Sequence, residues 1–194
     1  GIKDETGQYS HFAGIFTDIT QRKIAEERLH FLANHDPLTG LPNRGYLEGR
    51  FKEELARCRK DGVVLGVAAL DLDGFKPVND TYGHACGDRV LEQVGNRLRS
   101  ITRGADVAAR VGGDEFLMLL PAISSQDAVT RVAKALIELL SRPYKVEERE
   151  VNISCSVGIA LYPDGCKPSK LIPRADAAMY AAKRAGGTRH AFFS

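Results

Sequence analysis

Val63, Val64, Leu65, Val67, Ala68, Ala69 and Leu70 form a nearly unbroken apolar run that stops at Asp71. Such a run predicts a central strand buried on both faces, with Asp71 delivered to the sheet's edge. From Asp88 onward, Leu91, Val94, Leu98 and Ile101 recur at three and four residues, which predicts an amphipathic helix. Val107 to Val111 and Phe116 to Leu120 read as a hairpin, reversed by Gly112, Gly113, Asp114 and Glu115. Val129, Val132, Ala133, Leu136 and Leu140 mark a second helix starting near Ser124 or Ser125. Between Val151 and Leu161 the odd positions are apolar and the even ones polar or small, which predicts a strand with one covered face. Leu171, Ala175, Ala178, Met179 and Ala182 define a last helix ending at Gly186 and Gly187. Pro173 argues against its starting at Ser169, because a fourth helical residue needs its N–H. A short strand, 189–193, closes the chain.

Upstream, Tyr9, Phe12, Ile15 and Phe16, near Gly7 and Gly14, read as one strand with no sheet following to pair with. Asp18 with Gln21 resembles a capping box, and Ile24, Ala25, Leu29, Phe31 and Leu32 follow at helical spacing. The opposite face is charged, and a half-apolar connector helix of this kind can pair with its copy. Pro37, Gly40, Pro42 and Gly45 then punctuate the chain ahead of a charged helix over 46–60, which places a domain boundary near Asn34. Strand, helix, hairpin, helix, strand, helix is the order of an α+β fold. The plan is ferredoxin-like, with helices mainly on one side of one sheet.

Length and charge narrow the chemistry. The 194 residues suit one domain with a short appendage, and the net charge of +2 supplies no field for unspecific nucleic-acid or membrane binding. No apolar run approaches a membrane span, and no basic-then-apolar export signal opens the chain. The four cysteines, Cys58, Cys86, Cys155 and Cys166, have no C-x-x-C spacing, so they read as reduced packing residues in a cytoplasmic setting.

Asp71 and Asp73 share a strand face, and Asp114 and Glu115 sit at the hairpin tip. If strand and hairpin are neighbours, these acids crowd together and call for a cation; taken by themselves, the hairpin-tip acids read more simply as exposed turn residues. Oxygen-only ligands favour Mg²⁺ or Mn²⁺. A calcium loop over DLDGFKPVNDTY fails, because Gly74, Phe75 and Tyr82 stand at its fourth, fifth and twelfth positions. Gly112 and Gly113 let backbone N–H groups approach a phosphate closely. Lys76 and Lys183 can add positive charge there, or can be plain surface lysines. Asn79 and Asp88 can together read a guanine edge, although Asp88 serves equally well as an N-cap.

Four segments resemble the GGDEF domains, the diguanylate cyclases: DPLTGLPNR at 36–44, DLDGFKPVNDTYGHACGD at 71–88, RVGGDEF at 110–116 and ADAAMYAAK at 175–183. The resemblance implies a palm-like nucleotidyl-cyclase fold with a central, mostly antiparallel sheet flanked by helices. It also implies condensation of two GTP molecules to cyclic di-GMP with release of two pyrophosphates. Asp71, the carbonyl of Leu72 and Asp114 would then be ligands of Mg²⁺ or Mn²⁺, with Asp114 and Glu115 the catalytic acids. Lys76, Asn79, Asp88, Gly112, Gly113 and Lys183 would bind GTP. Each half-site in this family holds one GTP, so activity requires a homodimer.

Arg103 and Asp106 resemble the family's RxxD inhibitory site, where the product cyclic di-GMP binds. The sequence departs from the family after Lys183, where Gly187 and Thr188 replace the usual Arg-Asn, so an arginine contact to the terminal phosphate is missing unless Arg189 supplies it. Residues 1–18 resemble the last strand of a PAS sensor domain and 19–35 its linker helix, leaving 36–194 as the cyclase domain of a longer sensor protein. The rival reading is a domain that binds GTP or cyclic di-GMP and regulates a neighbour. A palm acting on nucleic acid is disfavoured by the near-neutral charge.

Overall fold

The structure, a computed structural model, describes residues 2–3, 6, 9–11, 18–165 and 167–193. The chain divides into two compact units, 1–32 and 33–194. In the first, β1 (Ile2–Lys3) pairs antiparallel with β2 (Tyr9–His11), so the N-terminal segment has a partner strand upstream of it. Gly7, Phe12, Gly14, Ile15 and Phe16 lie outside the described residues. Helix α1 (Thr20–Asn34) begins where the Asp18 carboxylate accepts the Thr20 N–H at 2.8 Å. No residue of α1 is buried, and Ile24, Leu29 and Leu32 stand in solvent.

The second unit opens with α2 (Arg44–Asp61), capped by the Asn43 side chain on the Tyr46 N–H and closed by Gly62 in the left-handed region. Strand β3 (Val64–Asp73) follows, then α3 (Phe75–Tyr82) and α4 (His84–Ile101). Strands β4 (Val107–Gly112) and β5 (Glu115–Ile123) make the expected hairpin, and α5 (Gln126–Leu140) starts at its Ser125 cap. A small hairpin, β6 (Tyr144–Val146) and β7 (Arg149–Val151), precedes β8 (Ser154–Tyr162). A 3₁₀ turn over Pro168–Lys170 leads into α6 (Leu171–Arg184), and β9 (His190–Phe192) ends the fold. Pro173 is thus the third residue of its helix, where no N–H is required.

The sheet order is β4-β5-β3-β8-β9, antiparallel except for the β8–β9 edge pair. Strand β3 lies at the centre, as its apolar run predicts. Its even residues Ala68, Leu70 and Leu72 pack with α4 and α5, while Leu65, Val67 and Ala69 pack with α2 and α6. Helices therefore cover both faces of the sheet, and the one-sided plan is corrected. The one-face reading of β8 is corrected with it. Gly158 is small because α6 runs directly over it, Ala160 packs in the core with Leu171 and Ala175 of α6, and Ser156 is fully buried. Among the described residues no helix is long and apolar enough to cross a membrane.

Candidate functional site

Register brings the acids together. Across the β3–β5 ladder Asp71 lies opposite Glu115, and the Leu72 N–H donates to the Asp114 carbonyl at 3.3 Å. On its other side Asp71 lies opposite Ser156 of β8. The strand end, the hairpin tip and the C-terminal end of α6 thus meet at one end of the central strands. Lys183 of α6 places its Nζ 2.5 Å from Asp71 Oδ1.

One ammonium does not neutralise this corner. Burial pushes the Asp71 carboxyl above its ordinary range, and the nearby Asp114 and Asp73 push the same way against Lys183. Burial works against the charge on Lys183, but Asp71, Asp73 and Asp114 outweigh it and hold the ammonium charged. Beneath the acids, Cys155 is fully buried, and burial, with Asp73 and Asp71 adding to it, raises its thiol to about 12. Cys58, Cys86 and Cys155 are free thiols.

The donor set suits a hard divalent cation held through few protein ligands. Among the described residues no three His, Cys, Asp or Glu side chains form a metal cluster. An ion beside Asp71 and Asp114 would therefore complete its shell with main-chain carbonyl, water and phosphate oxygens, as Mg²⁺ commonly does.

The glycine turn is braced from behind. Gly113 adopts φ +38°, and both Gly112 and Gly113 are exposed. The Arg110 guanidinium donates to the Gly113 carbonyl through Nε (3.0 Å) and Nη2 (2.8 Å), while Nη1 reaches both Asp36 oxygens at 3.2 Å. Asp36 also accepts from the Thr39 N–H and hydroxyl at 2.8 and 2.7 Å. Burial alone would raise the Asp36 carboxyl, but the Thr39 and Arg110 hydrogen bonds hold it below its ordinary range. Sequence reasoning gave Asp36 and Arg110 no role, although both lie in the quoted segments. The missing signal was their contact, 74 positions apart along the chain.

Asn79 packs across the α3–α4 junction against Gly87, the residue before Asp88. A Cβ on Gly87 would lie 2.0 Å from Asn79 Oδ1, so the amide rests on the α4 backbone immediately before Asp88. Asp88 is not an N-cap. Helix α4 begins at His84 behind Gly83, one turn earlier than the apolar spacing suggested. Lys76, on the first turn of α3, is exposed and makes no side-chain hydrogen bond or ion pair among the described residues.

Arg103 and Asp106 form a hydrogen-bonded pair of their own. The Asp106 N–H donates to the Arg103 carbonyl at 2.8 Å, and the Arg103 N–H returns a bond to Asp106 Oδ2 at 3.2 Å. Burial raises the Asp106 carboxyl against the pull of Arg103. Both side chains line a cavity of about 380 Å³ with Arg131, Met118 and Val132, and none of the acids at the strand end lines it.

The sequence profile of the family described as "Diguanylate cyclase, GGDEF domain" matches residues 33–189. The chain belongs to the GGDEF family. It is 46% identical over 170 residues to the bifunctional diguanylate cyclase/cyclic di-GMP phosphodiesterase MucR of Pseudomonas aeruginosa, covering 87% of this chain and 25% of that protein. It is 42% identical over 179 residues to the cyclic di-GMP phosphodiesterase PdeR of Escherichia coli, covering 92% of this chain and 27% of that one. The chain thus spans about a quarter of the length of these relatives. The crystal structure of the coiled coil and GGDEF domain of DgcB from Caulobacter crescentus, in complex with c-di-GMP, superposes with a TM-score of 0.81 at 30% identity. That match covers 90% of this chain and 93% of that one.

Proposed function

We propose that this GGDEF domain is a diguanylate cyclase that condenses two GTP molecules to cyclic di-GMP with release of two pyrophosphates. The observation that carries the reading is the meeting of Asp71 with Asp114 and Glu115 at one end of the sheet's central strands, all three acids intact. Asp71, the Leu72 carbonyl and Asp114 would hold Mg²⁺ or Mn²⁺, and when bound such ions polarise phosphate oxygens and stabilise the leaving pyrophosphate. Asn79 and Asp88 would receive the guanine edge, with the amide already seated on Gly87. The Gly112 and Gly113 backbone would receive phosphates, and Arg110 fixes that turn through the Gly113 carbonyl. Glu115 would stand beside the 3′-hydroxyl. Lys76 and Lys183 would contact the phosphates, and Lys183 has only to exchange one carboxylate oxygen for a phosphate oxygen.

Each domain would hold one GTP, so two copies must face each other. The exposed apolar residues of α1 support that pairing, and an upstream sensor of PAS type would control it. The Arg103–Asp106 site would bind product and restrain the enzyme; the c-di-GMP complex of DgcB favours product recognition in this family. The test is to fuse the chain to a forced dimeriser, supply GTP and Mg²⁺, and measure cyclic di-GMP. Asp114→Ala should abolish product and Arg103→Ala should relieve its accumulation limit. No product from the forced dimer refutes the reading.

A second reading, a regulatory domain that binds GTP or cyclic di-GMP without turnover, is favoured by the Gly187–Thr188 departure. Calorimetry with GTP and with cyclic di-GMP separates the two. Binding without turnover in the forced dimer would mark a regulator.

A further inference from the structure

Asp73 lies two residues beyond Asp71, yet its carboxylate is committed elsewhere. It accepts the Ser156 hydroxyl on both oxygens (3.0 and 2.9 Å), the Ser154 hydroxyl at 3.3 Å and the Thr188 N–H at 2.9 Å. Ser156 is fully buried and its hydroxyl makes no other hydrogen bond among the described residues, so this bond satisfies a group that would otherwise be stranded. The Thr188 hydroxyl closes the set on Ser154 at 2.7 Å.

The segment Asp73 holds is an unfavourable turn. Gly186 and Gly187 sit at φ +114° and +69°, and Thr188 at φ +52°. A β-branched residue in that region is a conformational outlier, kept there only when its surroundings over-determine it. A Cβ at position 187 would approach Asp73 Oδ2 to 3.0 Å, so the turn is folded tightly onto the carboxylate. The same turn closes α6. The Gly186 N–H donates to the Lys183 carbonyl and the Gly187 N–H to the Ala182 carbonyl, each at 3.2 Å. Beyond it, the Arg189 carbonyl accepts the Val157 N–H at 2.9 Å, fixing the far side to β8.

We infer that Asp73 is a positioning residue and not a metal ligand. By anchoring the strained turn at 186–188 it fixes the end of α6, and so the place of Lys183 against Asp71. The circuit runs from Asp71 along β3 to Asp73, through the turn to Lys183, and back to Asp71 Oδ1. Asp73 therefore sets affinity for the nucleotide's phosphates while leaving divalent-ion binding to Asp71 and Asp114. The nucleotide half of this inference rests on the function proposed above; the anchoring half does not.

The test uses the full chain with Asp73→Asn, Lys183→Ala, the double variant, and Asp73→Asn combined with Thr188→Gly. Amide hydrogen exchange at Thr188 should accelerate at least tenfold in Asp73→Asn and stay slow in Lys183→Ala. Asp73→Asn should weaken a non-cyclisable GTP analogue about tenfold, and much less when Lys183 is already alanine. Mn²⁺ binding, read by electron paramagnetic resonance, should change less than twofold. Thr188→Gly removes the strain the anchor opposes, so it should restore part of the lost affinity. Unchanged exchange at Thr188 overturns the anchor, whether or not the analogue binds. Additive losses in the double variant overturn the link to Lys183, and loss of Mn²⁺ binding in Asp73→Asn makes the residue a ligand instead. If the wild-type chain fails to bind the analogue, the proposed function falls while exchange still judges the anchor.

Discussion

Gly158 is where the fold most directly sets the geometry of the site. It lies on β8 opposite Ala69 of β3, and helix α6 crosses over it. A methyl group at 158 would stand 2.0 Å from the Met179 nitrogen, 2.1 Å from the Ala175 carbonyl oxygen and 2.6 Å from the Met179 Cα. All three atoms are helix backbone, so no rotamer change relieves the clash. To reach an ordinary contact of about 3.4 Å from the 2.0 Å approach, the helix must recede by about 1.4 Å, the difference between the two. Overpacking of this kind costs about 1–3 kcal/mol, and contact with helix backbone, which cannot turn aside, puts Gly158→Ala near the upper end. At about 2–4 °C per kcal/mol for a domain of this size, its melting temperature should fall by about 6–12 °C.

The displacement also reaches Lys183, one turn beyond Met179 on the same helix. A shift of that size strains its 2.5 Å bond to Asp71, and in the cyclase centre proposed above a misplacement of about 1 Å would lower turnover by up to about 10²-fold. Differential scanning calorimetry and the forced-dimer product assay read the two effects. Gly49→Ala is the control: it lies within α2 with nothing within 4 Å of its Cβ position, and should stabilise by about 0.5–1 kcal/mol. A Gly158→Ala variant melting within 2 °C of wild type, with turnover intact, would refute this account of how α6 is seated.

The Asp36 carboxyl is held low in the folded state, so its stabilisation is present above the unfolded value of about 3.9 and is lost as pH falls through the folded value. Asp36→Asn should cost about 1–2 kcal/mol in urea unfolding at pH 7, and the gap to wild type should narrow as pH falls below about 3.9. Glu54 is a buried carboxylate between Arg50 (2.9 Å) and Arg57 (3.2 Å). Because both arginines reach solvent, Glu54→Leu should stay within about 1 kcal/mol of wild type, whereas Glu54→Lys should cost about 3 kcal/mol or more by equilibrium unfolding. Burial raises the Tyr144 phenol to about 12, and its hydroxyl donates to the Leu140 carbonyl at 2.7 Å. Its contribution is complete below the unfolded value of about 10 and is lost as pH rises through about 12. Tyr144→Phe should cost about 1 kcal/mol at pH 7 and lose less stability than wild type across that alkaline window.

What could be read from the sequence followed from periodicity, and what could not followed from its exceptions. The β3 run, the β4–β5 hairpin and the stripe of α5 were legible because one face or two faces of one element decide them. Helix α3 was missed because Gly74 and Pro77 look like loop residues. Yet Pro77 is third in its helix, where its missing N–H leaves no gap. The β6–β7 hairpin was missed because three-residue strands are too short for alternation to register, and its turn uses Glu147 at φ +55°, where no glycine signals it.

The acids of the site were visible as residues, and their braces were not. Alternation along β8 treats a polar side chain as an outward one, which gives that strand a solvent face at Ser154, Ser156, Gly158 and Ala160. The rule fails when the polar group has a partner inside. Ser156 is buried because Asp73 accepts its hydroxyl across the ladder, and Gly158 is small because a helix needs the space. Both exceptions occur on the strand that flanks Asp71, and both fix a part of the structure that carries Lys183: Ser156 through Asp73 and the 186–188 turn, Gly158 through the body of α6. The departures from the simple pattern therefore mark where the fold gives up ordinary surface residues to hold the candidate site in shape.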